Sequence, residues 1–113
     1  MFNLSDRVRE TSLTEGSGSV TIHDTYGGFQ SFASGVGNGN ETFYAIENNV
    51  RFEIGLGTFN DGVLSRDLIF TSTDPSGNKI NLDGVSTVFC TYPATHSVFV
   101  NPDGNVSGLL PRY

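Results

Sequence analysis

Few side chains in this sequence can do chemistry, and their spacing decides of what kind. Glu47 and Glu53 flank one turn, and two carboxylates brought together would be the acid and base of glycoside hydrolysis. Arg51 and Arg66 lie near them in the chain, so ion pairing or solvation is the simpler role. His23 and His96 are distant from each other, each beside hydroxyl residues, and neither has the i, i+4 partner of a helical zinc site. Cys90 is the single cysteine, which rules out an intrachain disulfide and any thiolate metal cluster within one chain. It stands in the apolar run Val88-Phe89-Cys90 and reads as a small buried hydrophobe rather than a reactive thiol. The segment Ser34-Gly35-Val36-Gly37-Asn38-Gly39-Asn40 is rich enough in glycine to invite a phosphate-binding reading. Its spacing misses the nucleotide-loop pattern and no Lys-Ser/Thr pair comes after it, so it reads as a surface loop. No catalytic residue, cofactor or metal ligand is expected from these patterns.

Arg66 is the charged residue with the most to explain. The register expected for the hairpin of residues 50–70 places it on a core face, where a guanidinium needs a full set of acceptors. Two readings stay open: the stem covers apolar surface while the head reaches water, or the head pairs with a carboxylate such as Glu53 or Asp6.

The elements that must hold these residues are strands. Nine Phe, four Tyr and fourteen Gly without Trp favour strands and tight turns, and few windows show a helical period. Residues 50–70, VRFEIGLGTFNDGVLSRDLIF, form the centre of the pattern. Val50, Phe52, Ile54, Leu56 and Thr58 alternate with Arg51, Glu53, Gly55 and Gly57, the period of a strand with one buried face. Asn60-Asp61-Gly62 then predicts a hairpin with a three-residue loop and Gly62 in the left-handed position. That loop sets Phe52 against Phe70, Ile54 against Leu68, Leu56 against Arg66 and Thr58 against Leu64, with the even-numbered face as the core. The odd-numbered face, with bare Gly55 and Gly57 beside Phe59, Val63 and Ile69, becomes the place where a second sheet or a neighbouring subunit comes close.

Around this hairpin the pattern predicts further strands near residues 19–24, 42–47, 85–92 and 96–101, with turns at 14–18, 48–49, 74–78 and 101–105. Residues 28–33 read as one helical turn or a bent strand. Residues 4–11 alternate charged and apolar groups and suit an edge strand or an arm lying on a neighbour, with Arg7 and Arg9 as contact residues. The apolar end, with Leu109, Leu110 and Tyr113, suits packing on its own fold or on a partner. The fold class is all-β: one domain over residues 1–113, an antiparallel β-sandwich or small barrel built on hairpins. Extended N- and C-terminal arms are expected over about residues 1–11 and 102–113.

The formal charge of −6 with scattered basic residues argues against nucleic acid or an anionic membrane as the main partner. No apolar run is long enough to cross a bilayer, and the first residues lack the pattern of a signal peptide, so export by that route is not expected.

Several stretches together resemble a β-rich domain near the start of tail-fibre and other tail-associated proteins of tailed bacteriophages. They are Asp6-Arg7-Val8 with Thr11, Gly18-Ser19-Val20-Thr21-Ile22, Gly28-Phe29-Gln30-Ser31-Phe32, Phe43-Tyr44-Ala45-Ile46, Glu53-Ile54-Gly55-Leu56-Gly57-Thr58-Phe59, Leu64-Ser65-Arg66, and Val88-Phe89-Cys90-Thr91-Tyr92-Pro93-Ala94. The likeness covers about residues 6–99 and is most specific in E-x-G-x-G-T-aromatic with L-S-R after it. It implies a virion structural role without enzymatic activity, as a homo-oligomer, expected to be a trimer, contacting other virion proteins. A tail fibre or adaptor component is the first expectation, with a capsid decoration protein as the alternative. A host-glycan-binding module is the reading from a different class, weakened by the absence of Trp. Interface candidates are Arg7, Arg9, Phe59, Val63, Leu109, Leu110 and Tyr113; Arg66 and Glu53 are the candidate structural ion pair.

Overall fold

A computed structural model describes residues 1–96 and 98–108, so Leu109, Leu110 and Tyr113 lie outside the described residues. The chain folds as strands β1 (Arg9–Ser12), β2 (Val20–Thr25), β3 (Asn40–Asn48), β4 (Arg51–Asn60), β5 (Val63–Leu64), β6 (Leu68–Ser72) and β7 (Ser86–Cys90). A four-residue helix α1 (Phe32–Gly35), a 3-10 turn (Ala94–His96) and a small hairpin of β8 (Val98–Val100) and β9 (Val106–Gly108) complete it. Seven strands run in the order β3-β7-β1-β2-β5-β4-β6, and β3 also pairs with β4. That extra pairing joins β3, at one end of the row, to β4, next to the other end, so β1, β2, β5, β4, β3 and β7 close into an antiparallel ring and β6 lies outside it on β4. Of the two architectures expected from sequence, this is the small barrel.

The central hairpin forms where the pattern puts it, but with a different turn. Asn60 pairs with Val63 and Phe59 with Leu64, so the loop has two residues, Asp61 and Gly62, at φ 50° and 81°. Two successive positive φ values twist the backbone in the sense that right-twisted strands need, and Asp-Gly is suited to both positions. The expected register is therefore corrected by one residue, and the faces of β4 invert with it, while Leu64 and Arg66 point inward as expected. On β4 the odd residues Glu53, Gly55, Gly57 and Phe59 are buried, while Phe52 is 39% exposed and Val50, a turn residue beside Asn49 at φ 61°, is 93% exposed.

The reason is the narrow interior of a small barrel. A Cβ at Gly55 would strike the carbonyl oxygen of Leu68 and crowd the Tyr44 hydroxyl, and one at Gly57 would strike that of Ser65 and crowd Leu64. Glycine is required on the inner face because large neighbours already fill it. Between β5 and β6 the partner strand bulges, and between Gly55/Ile69 and Ile54/Thr71 it shifts again. The first irregularity carries the inward positions from Leu64 and Arg66 to Ile69.

Inside the barrel, Val20, Tyr44, Ile46, Phe59, Leu64 and Val88 meet Val8, Phe32, Val36, Ile80 and Leu82. Helix α1 plugs one end: Ser31 caps it by accepting from the Ser34 amide, and Phe32 stacks on Phe59 with ring centroids 5.8 Å apart. The buried Glu10 carboxylate accepts from the Phe32 amide and from Thr25 Oγ1, which fastens the helix to β1. The Gly-rich loop is held from behind, as Asn3 Nδ2 donates to the Gly35 and Val36 carbonyls.

Residues 4–11 are not an edge. β1 lies between β2 and β7, and Val8 and Glu10 are buried. Only the first residues run as an extended segment, and they lie on this chain: Asn3 donates to the Glu41 carbonyl and the Glu41 amide to that of Met1. Among the seven strands, the second edge of β6 has no strand partner.

Candidate functional site: a sealed ionic core and an aromatic outer face

Two clusters of polar and aromatic groups stand out, one inside the barrel and one outside. The inner one is assembled by the β4–β5 hairpin. The two-residue turn brings Arg66 inward, and Glu53 points inward from the other end of β4, although acidic residues are poor strand formers. Arg66 Nε donates to Glu53 Oε2 at 2.8 Å and Nη2 donates to Oε1, a bidentate pair with both side chains at 0% exposure. The remaining guanidinium hydrogens reach the carbonyls of Gly16 (3.3 Å), Gly18 (3.1 Å) and Ile80 (2.6 Å). Glu53 completes its shell with the Tyr44 hydroxyl on Oε2 at 2.6 Å and the Ile80 amide on Oε1 at 2.9 Å.

Every donor of the guanidinium is used and both carboxylate oxygens accept twice. Burial alone would push the Glu53 carboxyl up; hydrogen bonds from Arg66, Tyr44 and the Ile80 amide, with the charge of Arg66, outweigh it and hold the group below its ordinary value. Tyr44 moves the other way. Burial first, then its bond to the Glu53 carboxylate and that negative charge, raise the phenol well above its ordinary value. The carboxylate stays ionised and fully bonded, and the phenol keeps its proton. Neither is free to accept or release a proton toward a substrate, so this cluster ties strands together instead.

Glu47 does not join it. Glu47 lies opposite the outward-facing Phe52 and is exposed, on the other side of the sheet from Glu53. Asp6 is not the partner of Arg66 either; its carbonyl accepts from Gln30 Nε2. His23 sits beside Asp24 at 3.4 Å with both side chains largely exposed. Cys90 is half-buried near Thr42, and burial raises its thiol above the ordinary value, against nucleophilic use. Among the described residues, no group of His, Cys, Asp and Glu could hold a metal ion, and no helix is long and apolar enough to cross a membrane.

The outer cluster lies on the face expected to be core. Phe43, Leu56 and Leu68 stand in a row across β3, β4 and β6. Phe43 is the hub: its ring centroid lies 4.7 Å from Phe2, 5.7 Å from Phe70, 6.5 Å from Tyr92 and 5.9 Å from His96. His96 stacks on Phe70 at 3.8 Å. The cluster is open to solvent, with Tyr92 57% and Leu68 54% exposed.

Of the interface candidates, Val63 is exposed at the hairpin tip, whereas Phe59 belongs to the core. Arg7 and Arg9 are committed locally. Arg7 lies 3.8 Å from the Phe29 ring centre and donates to the Gly28 carbonyl, and Arg9 lies between Tyr26, Phe29 and Phe89. Reading the sequence missed Tyr44, Ile80 and the aromatic row. The available signal was the motif E-x-G-x-G itself, in which a charge alternating with two glycines marks a crowded inner face. No family model, no curated protein and no solved structure matches this chain.

Proposed function

We propose that this chain is a non-enzymatic structural domain of a tailed-bacteriophage particle, acting at the tail as a fibre or adaptor component that docks on neighbouring virion proteins as a homo-oligomer, expected to be a trimer. The observation that carries the reading is the contrast between the two clusters. The inner one has no free proton or lone pair for a substrate, while the outer one presents Phe43, Phe70, Tyr92, Leu68 and Phe2 on one face. An apolar aromatic patch of this kind is what a protein partner buries. The resemblance supports the choice of particle, since its most specific residues, Glu53-Ile54-Gly55-Leu56-Gly57-Thr58-Phe59 and Leu64-Ser65-Arg66, build the ion pair and the seats around it.

The test is incorporation. The protein is tagged, produced in infected cells, and counted in purified particles by quantitative mass spectrometry. A few copies per particle support the tail reading, and copies comparable to the major shell protein support capsid decoration. Absence from washed particles overturns both. A glycan array run on the isolated protein covers the remaining reading, because exposed Tyr92 and the His96–Phe70 stack are surfaces on which a sugar ring can lie.

A further inference from the structure

Arg7 and Arg9 share one aromatic ring and have nothing to neutralise them. The Arg7 guanidinium lies 3.8 Å from the Phe29 ring centre and that of Arg9 5.5 Å from the same ring, with Tyr26 and Phe89 on its other sides. Stacking occupies the faces of the two guanidinium planes and leaves their N–H edges for other partners. Those edges are almost unused. Arg7 donates once, from Nη2 to the Gly28 carbonyl at 3.1 Å, and Arg9 Nε is buried without any acceptor. The chain carries twelve Asp and Glu, yet the ion pairs among the described residues are those of His23 and Arg66. Glu10, the next residue after Arg9, is buried and bonded to the Phe32 amide and Thr25.

Three separate costs meet here. Two like charges are held against one ring, a buried donor goes unpaired, and Arg7 adopts φ 60°, a left-handed backbone that a residue with a Cβ rarely takes. Gln30 enforces that backbone: its amide donates to the Arg7 carbonyl at 2.6 Å, its carbonyl accepts from the Arg9 amide at 3.2 Å, and its Nε2 donates to the Asp6 carbonyl at 2.6 Å. Strain of this sort persists where the surrounding structure imposes it, and it gathers at ligand sites.

A guanidinium fork held flat on a ring takes a carboxylate in its own plane through parallel N–H donors. The net charge of −6 repels a polyanion such as nucleic acid, whereas an acidic side chain flanked by apolar ones matches both the forks and the half-buried rings of Tyr26, Phe29 and Phe89. We propose that Arg7 and Arg9, with Tyr26 and Phe29, bind a segment of a partner protein in which acidic residues alternate with apolar ones. The proposal rests on the reading of this chain as a docking domain and supplies the chemistry of one partner. β1 lies three strands from β4 either way round the ring, so this contact is separate from one made on Leu56 and Leu68.

The test titrates the isolated full chain, labelled with nitrogen-15, with the peptide acetyl-Ala-Glu-Leu-Glu-Ala-amide and follows the arginine Nε–H and backbone amide resonances. The same peptide with Gln for Glu, and inorganic phosphate at matched ionic strength, are the comparison probes. The Arg7 and Arg9 Nε–H signals and the Phe29 amide should move saturably, with half-saturation at about 1 mM, while Arg51 and Lys79 do not respond. Arg7→Lys and Arg9→Lys keep the charge and lose the fork, so each should weaken binding about fivefold with unchanged circular dichroism. An equal response to the Gln peptide or to phosphate, equal movement at Arg51 and Lys79, or Lys variants that bind as the original does, overturn the proposal. So does a flat titration of the original protein, which needs no variant to fold. Particle incorporation with a flat titration removes this site and keeps the docking reading; saturable binding by a protein absent from particles does the reverse.

Discussion

Replacing Arg66 by Met in a barrel that keeps Glu53 leaves a carboxylate at zero exposure with its strongest partner gone, and breaking such a pair costs about 3–5 kcal/mol. Glu53→Gln should cost a similar amount. The double variant should be more stable than the sum of the singles predicts, because the buried charge disappears with its partner. It still falls short of the original, since the Gly16, Gly18 and Ile80 carbonyls lose the guanidinium as donor, about 1–3 kcal/mol for each left buried without a partner. Urea midpoints at constant slope measure all four proteins, and strict additivity would refute the coupling. The pH response has two limbs. The lowered Glu53 carboxyl contributes stability that is present above its unfolded value, about 4.3, and is lost as pH falls through the folded value. The raised Tyr44 phenol contributes stability present below its unfolded value, about 10, and lost as pH rises toward the folded one. Tyr44→Phe should flatten the alkaline limb of the urea midpoint and, by taking one hydrogen bond from Glu53, weaken the acid limb without abolishing it, since Arg66 and the Ile80 amide still hold the carboxylate.

At the scale of elements, the β4–β5–β6 unit shows how a correct pattern can be read inside out. The alternation and the Asp-Gly turn were legible because both are local properties of the backbone. Which face is buried is not local. Phe52, Ile54 and Leu56 look like a core face beside Glu53, Gly55 and Gly57, but a narrow barrel accepts a carboxylate with a guanidinium and two glycines where Tyr44 and Leu64 already fill the space. The partners that decide this, Arg66, Tyr44 and Leu68, come from other strands and from a bulge. Gly57→Ala sets a methyl against the Ser65 carbonyl, which cannot turn away, and overpacking of this sort costs about 1–3 kcal/mol. Gly62→Ala meets no atom and bears only the strain of φ 81°, about 1–2 kcal/mol. Thermal unfolding should rank Gly57→Ala at least as damaging as Gly62→Ala, and a harmless Gly57→Ala would contradict the close approach.

For the whole molecule, closure of the ring gives substitutions opposite meanings on the two sides of one sheet. Ile46→Ala empties the interior and should cost about 2–5 kcal/mol, whereas Leu68→Ser, on the open outer face, should change folding stability by no more than about 0.5 kcal/mol. The same Leu68→Ser should reduce incorporation into particles, and a reversal of these two effects would mean that the faces are assigned wrongly. The all-β class was legible from strand spacing and turns, while closure was not, because it depends on β7 entering between β1 and β3.

That insertion governs the order in which the protein can be made. β1 leaves the ribosome early, yet one of its two neighbours, β7, emerges roughly 4–15 s later at ordinary elongation rates. During that interval β1 and β3 each carry an open edge able to pair with another nascent chain, and the Arg66 guanidinium already has its partners from residues 16–18, 53 and 80 before the last staple arrives. Slowing translation between residues 72 and 86 should therefore lower the soluble yield without altering the finished protein, as seen by separating soluble from sedimenting product.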